Sequence, residues 1–160
     1  NGRYLGNTGG NSMFESFNRH WRTHLESGII TNEEFISATF PQHYRTVEEF
    51  SQPFMGNDCL ANKIGLKLNK VFTKLTKCPY RQDYENNKGT ITPKEFAKEF
   101  IPTTRSWSET IFRSALKNRN QAETDHIIES FYKSYENEVA NNPSEHSMDY
   151  VHIVMEIERI

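Results

Sequence analysis

Met148-Asp149-Tyr150-Val151-His152-Ile153-Val154-Met155-Glu156-Ile157 is the densest β-branched and apolar run of the chain, with neither Gly nor Pro inside it. Such a run reads as a strand with at least one face in a core. Val151, Ile153, Met155 and Ile157 fall on one face; Tyr150, His152, Val154 and Glu156 fall on the other. A buried strand needs neighbours for its backbone groups. The sequence offers two more, residues 2–6 and 66–75, so three strands are expected, separated by long helical stretches. That shortage of strands implies part of a larger sheet.

The second of these, Gly65-Leu66-Lys67-Leu68-Asn69-Lys70-Val71-Phe72-Thr73-Lys74-Leu75, alternates imperfectly. A bulge near Asn69-Lys70 restores the alternation, and its lysines suit a sheet edge or a wet face. Before it, residues 12–26 read as a helix with Phe14, Phe17, Trp21 and Leu25 on one stripe, stopped at Gly28. Thr31 to Glu34 and Thr46 to Glu49 are capping boxes opening short helices. Phe40-Pro41 between them is extended, and residues 51–63 are ambiguous.

Downstream, residues 78–89 read as a polar loop. Thr92-Pro93-Lys94-Glu95 opens a helix, Pro102 breaks or kinks it, and Ser106 to Glu109 opens another. Residues 121–141 form the longest helix, with Ile128, Phe131, Tyr132, Tyr135 and Val139 along its apolar side. Strand, helices, strand, helices, strand describes a sheet edge with a helical cap, in one domain over 1–160.

Nineteen basic and 21 acidic residues give a net charge of −2, with no long block of either sign, which speaks against nucleic-acid and anionic-membrane partners. Cys59 and Cys78 are expected as reduced thiols of a cytoplasmic protein. No apolar run approaches the length of a membrane span and no signal peptide is seen. The chain begins with Asn in mid-strand, and that start is expected to be a cut.

Several local motifs resolve to plain structure. Residues 28–35 and 89–96 share G-x-I-T-x-x-E-F, the second half of an EF-hand loop, but no carboxylate occupies the early ligand positions. A Gly turn followed by a Thr-capped helix explains both. Gly6-Asn7-Thr8-Gly9-Gly10 lacks the spacing and the lysine of a phosphate loop and reads as a turn. His20 and His24 at i, i+4 have no third ligand nearby and read as a solvated helix face. His152 is a lone inward candidate, and no nucleophile motif is present. Phe14, Trp21, Trp107, Tyr132 and Tyr150 come from separate elements and could line one pocket for a flat or hydrophobic ligand; the same rings could equally form a core.

Leu25-Glu26-Ser27-Gly28-Ile29-Ile30, then Phe40-Pro41-Gln42-His43-Tyr44 through Glu48-Glu49, resemble the C-terminal half of SABATH-type carboxyl methyltransferases. Arg105-Ser106-Trp107-Ser108-Glu109 is similar to the family's "RAVxEP" helix, and Phe131-Tyr132-Lys133-Ser134-Tyr135 to its "lFerY" segment. Trp107 stands where the family has a small aliphatic residue, and Thr110 where it has proline. The resemblance implies an incomplete α/β fold of the Rossmann-like class I methyltransferase type: its last three strands plus a mostly helical substrate cap. It implies S-adenosyl-L-methionine as cofactor, held by an absent N-terminal half, and a small-molecule carboxylic acid as substrate. By position it places substrate contacts at Met13, Phe14, Thr104, Trp107 and Tyr150, with no catalytic residue and no metal. Family members often pair, so a homodimer is possible. The readings that compete with it are a self-standing, non-enzymatic binding module with an aromatic pocket, and a degenerate EF-hand-like protein.

Overall fold

The computed structural model describes residues 13–160 apart from 42, 43 and 57. The chain runs α1 (Met13–Glu26), α2 (Asn32–Ser37), α3 (Val47–Ser51), a 3-10 turn (Gln52–Phe54), α4 (Leu60–Lys63) and β1 (Leu66–Thr76). Then come α5 (Pro79–Asn86), α6 (Pro93–Ala115), α7 (Gln121–Asn141), a second 3-10 turn (Pro143–Glu145) and β2 (Tyr150–Arg159).

The expected α/β architecture is overturned. The described residues are 60% helical and carry one two-stranded antiparallel sheet, not three strands of a Rossmann-like sheet. Of the three strands expected, the one at residues 2–6 lies outside the described residues, as does the Gly6 to Gly10 loop. The other two pair with each other, so the described residues form a helical body carrying a β-ribbon.

Local chemistry sets most helix ends. Thr31, Thr46 and Thr92 each accept from the backbone N–H three residues on, and Glu34, Glu49 and Glu95 answer to the cap backbone. Asn120 caps α7 by accepting from Glu123 N–H at 2.9 Å. Gly28 and Gly89, both at positive φ, make the turns ahead of two of these caps.

α6 and α7 pack along their length, α1 lies on α7, α2 on α6 and α1, and α5 on α6. Their apolar stripes merge in one core. Phe17, Phe96, Phe100, Phe112, Ile128, Phe131 and Tyr135 are among its most buried side chains.

α6 corrects two expectations. It runs unbroken through Pro102, and Ser106 to Glu109 lies inside it. Pro102 is exposed, so the backbone bond it cannot make is lost on the wet side, while Phe100, Ile101 and Thr104 stay anchored in the core. α5 replaces the expected loop at 78–89: Pro79 starts it and Arg81 bonds Glu85 one turn on. Asp149 accepts from Cys78 N–H at 2.7 Å, tying the start of α5 to the segment that enters β2.

The ribbon register explains its odd sequence. Leu68 faces Ile157 and Lys70 faces Glu156, so Asn69 is the extra residue of a bulge. The bulge resets the phase. Leu66 and Leu68 stay on the same side as Val71 and Leu75, and across from them stand Val151, Ile153, Met155 and Ile157. One side of the ribbon is thus almost wholly apolar, yet none of these residues is buried, and none belongs to the core. Lys67, Lys70, Lys74, His152, Glu156 and Glu158 share the other side with Phe72, Val154 and Tyr150.

Gly65, at φ +77°, closes the open end of the ribbon: its carbonyl accepts from Ile160 N–H at 2.9 Å. A Cβ there would sit 2.9 Å from the Ile160 carbonyl oxygen, which is backbone and cannot swing away. Gly65→Ala should cost about 1–2 kcal/mol locally. Faster hydrogen exchange of ribbon amides with an unchanged helical circular dichroism spectrum is the expected readout, because the ribbon shares no core with the helices.

Candidate functional site: an aromatic cavity between α1, α2 and α6

The stripe of α1 meets α6 and the extended Phe40 segment around a cavity of 310 Å³, a size suited to a small organic ligand. Phe14, Phe17, Trp21, Phe35, Phe40 and Phe112 supply its rings; Asn18 and Thr39 are its polar wall. Among the described residues, no charged side chain lines it. Phe17 stacks on Phe40 at 5.8 Å, and Phe14 meets the edges of Phe40 and Trp107 at 5.4 and 6.0 Å. Trp107 also lies 6.0 Å from Phe40.

Two polar atoms here are unusual. The Nε1–H groups of Trp21 and Trp107 are buried and have no hydrogen-bond partner among the described residues. A buried donor left unpaired costs roughly 1–3 kcal/mol, so most such groups in folded proteins have partners.

Of the residues expected to touch a ligand, Phe14 lines the cavity and Trp107 abuts its rings. Met13 is 4% exposed and belongs to the core beside Phe14. Thr104 is fully buried and donates its hydroxyl hydrogen to the Ile101 carbonyl at 2.8 Å, sealed under the helix rather than offered to a ligand. Tyr150 sits on the ribbon, half exposed, its ring stacked on His152 at 5.8 Å; no ring contact joins it to the cavity. Tyr132 also lies apart from the cavity wall: its hydroxyl pairs with Ser108 Oγ at 2.7 Å and the Arg105 guanidinium covers its ring. Burial pushes that phenol well above its ordinary range. Phe40, Phe35, Asn18 and Thr39 were not foreseen. Phe40 follows no periodicity because it is extended chain, and only its place before Pro41 hinted at a fixed position.

A second cluster, on another side of α1, is structural. Glu138 of α7 accepts from Ser16 Oγ at 3.0 Å and from Arg19 Nη2 at 2.6 Å, and meets His20 Nε2 at 2.6 Å. His146 Nε2 is 3.4 Å away. Burial alone would raise the Glu138 carboxyl, but the hydrogen bonds from His20, Arg19 and Ser16 outweigh it and hold the group at about 2. His24 is buried too, its Nε2 2.8 Å from Ser130 Oγ. His20 and His24 are therefore engaged with α7 and do not form the solvated face expected of them. His152 is exposed rather than inward.

Cys59 and Cys78 are free thiols, and no described helix is long and apolar enough to cross a membrane. No protein-family model matches the chain, and no curated protein matches it either.

Proposed function

We propose that this chain is the substrate-binding part of an S-adenosylmethionine-dependent methyltransferase that methylates a small hydrophobic carboxylate in the cytoplasm. The observation that carries the reading is an aromatic cavity with no charged side chain among the described residues lining it, with two unpartnered indole N–H groups in the rings around it: Trp21 lines the cavity and Trp107 packs against Phe14 and Phe40. In this reading a small turn of an indole ring on ligand entry brings its N–H to a carboxylate oxygen, while the rings enclose the apolar remainder of the acid.

Methyl transfer to a carboxylate asks for no acid–base residue. The acceptor is already ionised near neutral pH, being well above its pKa. What the reaction needs is in-line placement and exclusion of water. Phe14, Phe40 and Trp107 would serve as walls, with Asn18 and Thr39 as polar contacts. The described residues do not fit S-adenosylmethionine itself: they include no parallel strands joined by a Gly-rich turn and helix. In this reading the donor is held by residues outside the described ones. Free thiols at Cys59 and Cys78 agree with a reducing compartment.

A self-standing binding module is the second reading, favoured by a helical body that closes its own core around the cavity. Both readings share the ligand site, and turnover of the donor separates them.

Equilibrium dialysis with 3-phenylpropanoate, against the neutral 3-phenylpropanol, tests the site. The acid should bind the better of the two. Trp107→Phe, which keeps a ring and removes the N–H, should weaken the acid about tenfold, in the range of one lost hydrogen bond to a charged group. Trp107→Ala should weaken both. Equal binding of acid and alcohol, or indifference to both substitutions, would remove the acid from the pocket.

A further inference from the structure

A second cavity, of 450 Å³, lies between α5 and the first turns of α6, within the size range of small-ligand sites. Tyr80, Asp83 and Tyr84 stand at i, i+3 and i+4 on α5, and so share one side of that helix. Phe96 and Glu99 share a side of α6 in the same way, and Pro79 and Ile91 complete the wall. The rings are anchored from within. Tyr84 stacks on Phe96 at 5.0 Å, and Phe96, 2% exposed, stacks in turn on Phe100 of the core at 5.6 Å. No lining residue is shared with the aromatic cavity of α1; Phe96 here and Phe112 there are separated by about 24 Å of helix.

Charge distinguishes the two cavities. Asp83 and Glu99 both line this one, and among the described residues no Lys, Arg or His does. Asp83 accepts from the Asn87 amide at 2.8 Å, a neutral donor. Glu99 has no hydrogen bond or ion pair among the described residues. Arg81, the cation of α5, is turned to Glu85 and to the Pro143 carbonyl instead. Three rings and two carboxylates without a counter-ion match an organic cation, which the rings attract through their quadrupoles and the carboxylates through their charge.

We propose that this cavity binds a small, free organic ammonium ion, with its alkylated head against Tyr80, Tyr84 and Phe96 and its charge answered by Asp83 and Glu99. Seven described residues at one helix corner enclose a head group and little more, which suits a free ion over a polypeptide segment. An anion is repelled here, so the carboxylic acid proposed for the other cavity is not the ligand of this one. The site stands independently of any methyl transfer.

Choline and its uncharged isostere 3,3-dimethylbutan-1-ol are the probes, each titrated into the 160-residue chain and followed by amide resonances. Choline should give saturable shifts confined to α5 and residues 91–100. The alcohol, equal in shape, should bind at least about tenfold more weakly, since it loses both the ring attraction and the charge. Glu99→Gln, at an exposed position, should weaken choline about threefold and leave the alcohol unchanged. No shift at millimolar choline, equal binding of the alcohol, or indifference of choline to Glu99→Gln would overturn the site. Tighter binding of a short peptide carrying trimethyllysine than of choline would overturn the free ion in favour of a polypeptide side chain.

Discussion

Replacing Phe17 with alanine should destabilise the helical body by about 3–5 kcal/mol, the range for emptying a fully buried aromatic site. Phe17 is 1% exposed and stands where three helices and the Phe40 segment converge. Its ring meets Phe112 at 5.7 Å edge-on, Tyr135 at 5.3 Å and Phe131 at 6.0 Å, besides stacking on Phe40. Ring pairs of this geometry add about 0.5–1.5 kcal/mol each beyond area burial. Truncation strips all of these contacts at once and opens the cavity into the core. Urea unfolding followed by helical circular dichroism measures the loss. A cost under about 1 kcal/mol would show that α1 is not held to α6 and α7 in this way.

Glu138→Ala should cost about 3 kcal/mol near neutral pH, the free energy equivalent of a carboxyl held at about 2 rather than at 4.5. The substitution leaves the Ser16 hydroxyl buried without its acceptor and removes the anion that Arg19, His20 and His146 share. Glu138 is 15% exposed, so solvent screens it only partly. The sign follows from linkage. A carboxyl lowered in the folded state stabilises fully above its unfolded pKa, and that contribution drains away as pH falls from about 4.5 through about 2. The stability gap between the native chain and Glu138→Gln should therefore be wide at pH 6 and close towards pH 2. Both proteins should also weaken as pH drops below 6.5. Burial lowers the pKa of His24 and His146, so the unfolded chain takes up protons there before the folded one does. A gap that stays constant with pH would mean the Glu138 charge is not what ties α1 to α7.

Much of the helical body was legible residue by residue. The stripes on α1 and α7, the capping boxes at Thr31, Thr46 and Thr92, and the bulge at Asn69 all rest on local rules, and all are present. Where a tertiary choice decided, sequence reading failed. Pro102 carries the signature of a helix break, but a helix whose flanks are buried on both sides tolerates it on the solvent side. α5 hides in polar residues. Its signal was Pro79 followed by Tyr80 and Tyr84 one turn apart, packed on the core edge where Tyr84 stacks on Phe96 at 5.0 Å. Thr104 was placed in the pocket by resemblance alone, and Tyr150 by resemblance and as one of five rings from separate elements; neither argument says which way a side chain turns. The apolar run of β2 was read as a strand with a face in a core; in the structure no residue of β1 or β2 is fully buried, Ile153 to Met155 being partly covered and Val151 and Ile157 exposed. Phe14 and Trp107 did meet, because helical spacing put each on the inner stripe of its own helix.

The chain has two tryptophans, so its indole N–H resonances can be assigned by single substitution. The most direct measurement is the shift of the Trp107 Nε1–H resonance in a proton–nitrogen correlation spectrum as 3-phenylpropanoate is added at pH 7. A saturable downfield movement with the acid, absent with 3-phenylpropanol, is the expected result for a carboxylate oxygen taking up the unpaired donor. A resonance that stays in place while the acid binds elsewhere, or an acid that does not bind at all, would contradict it.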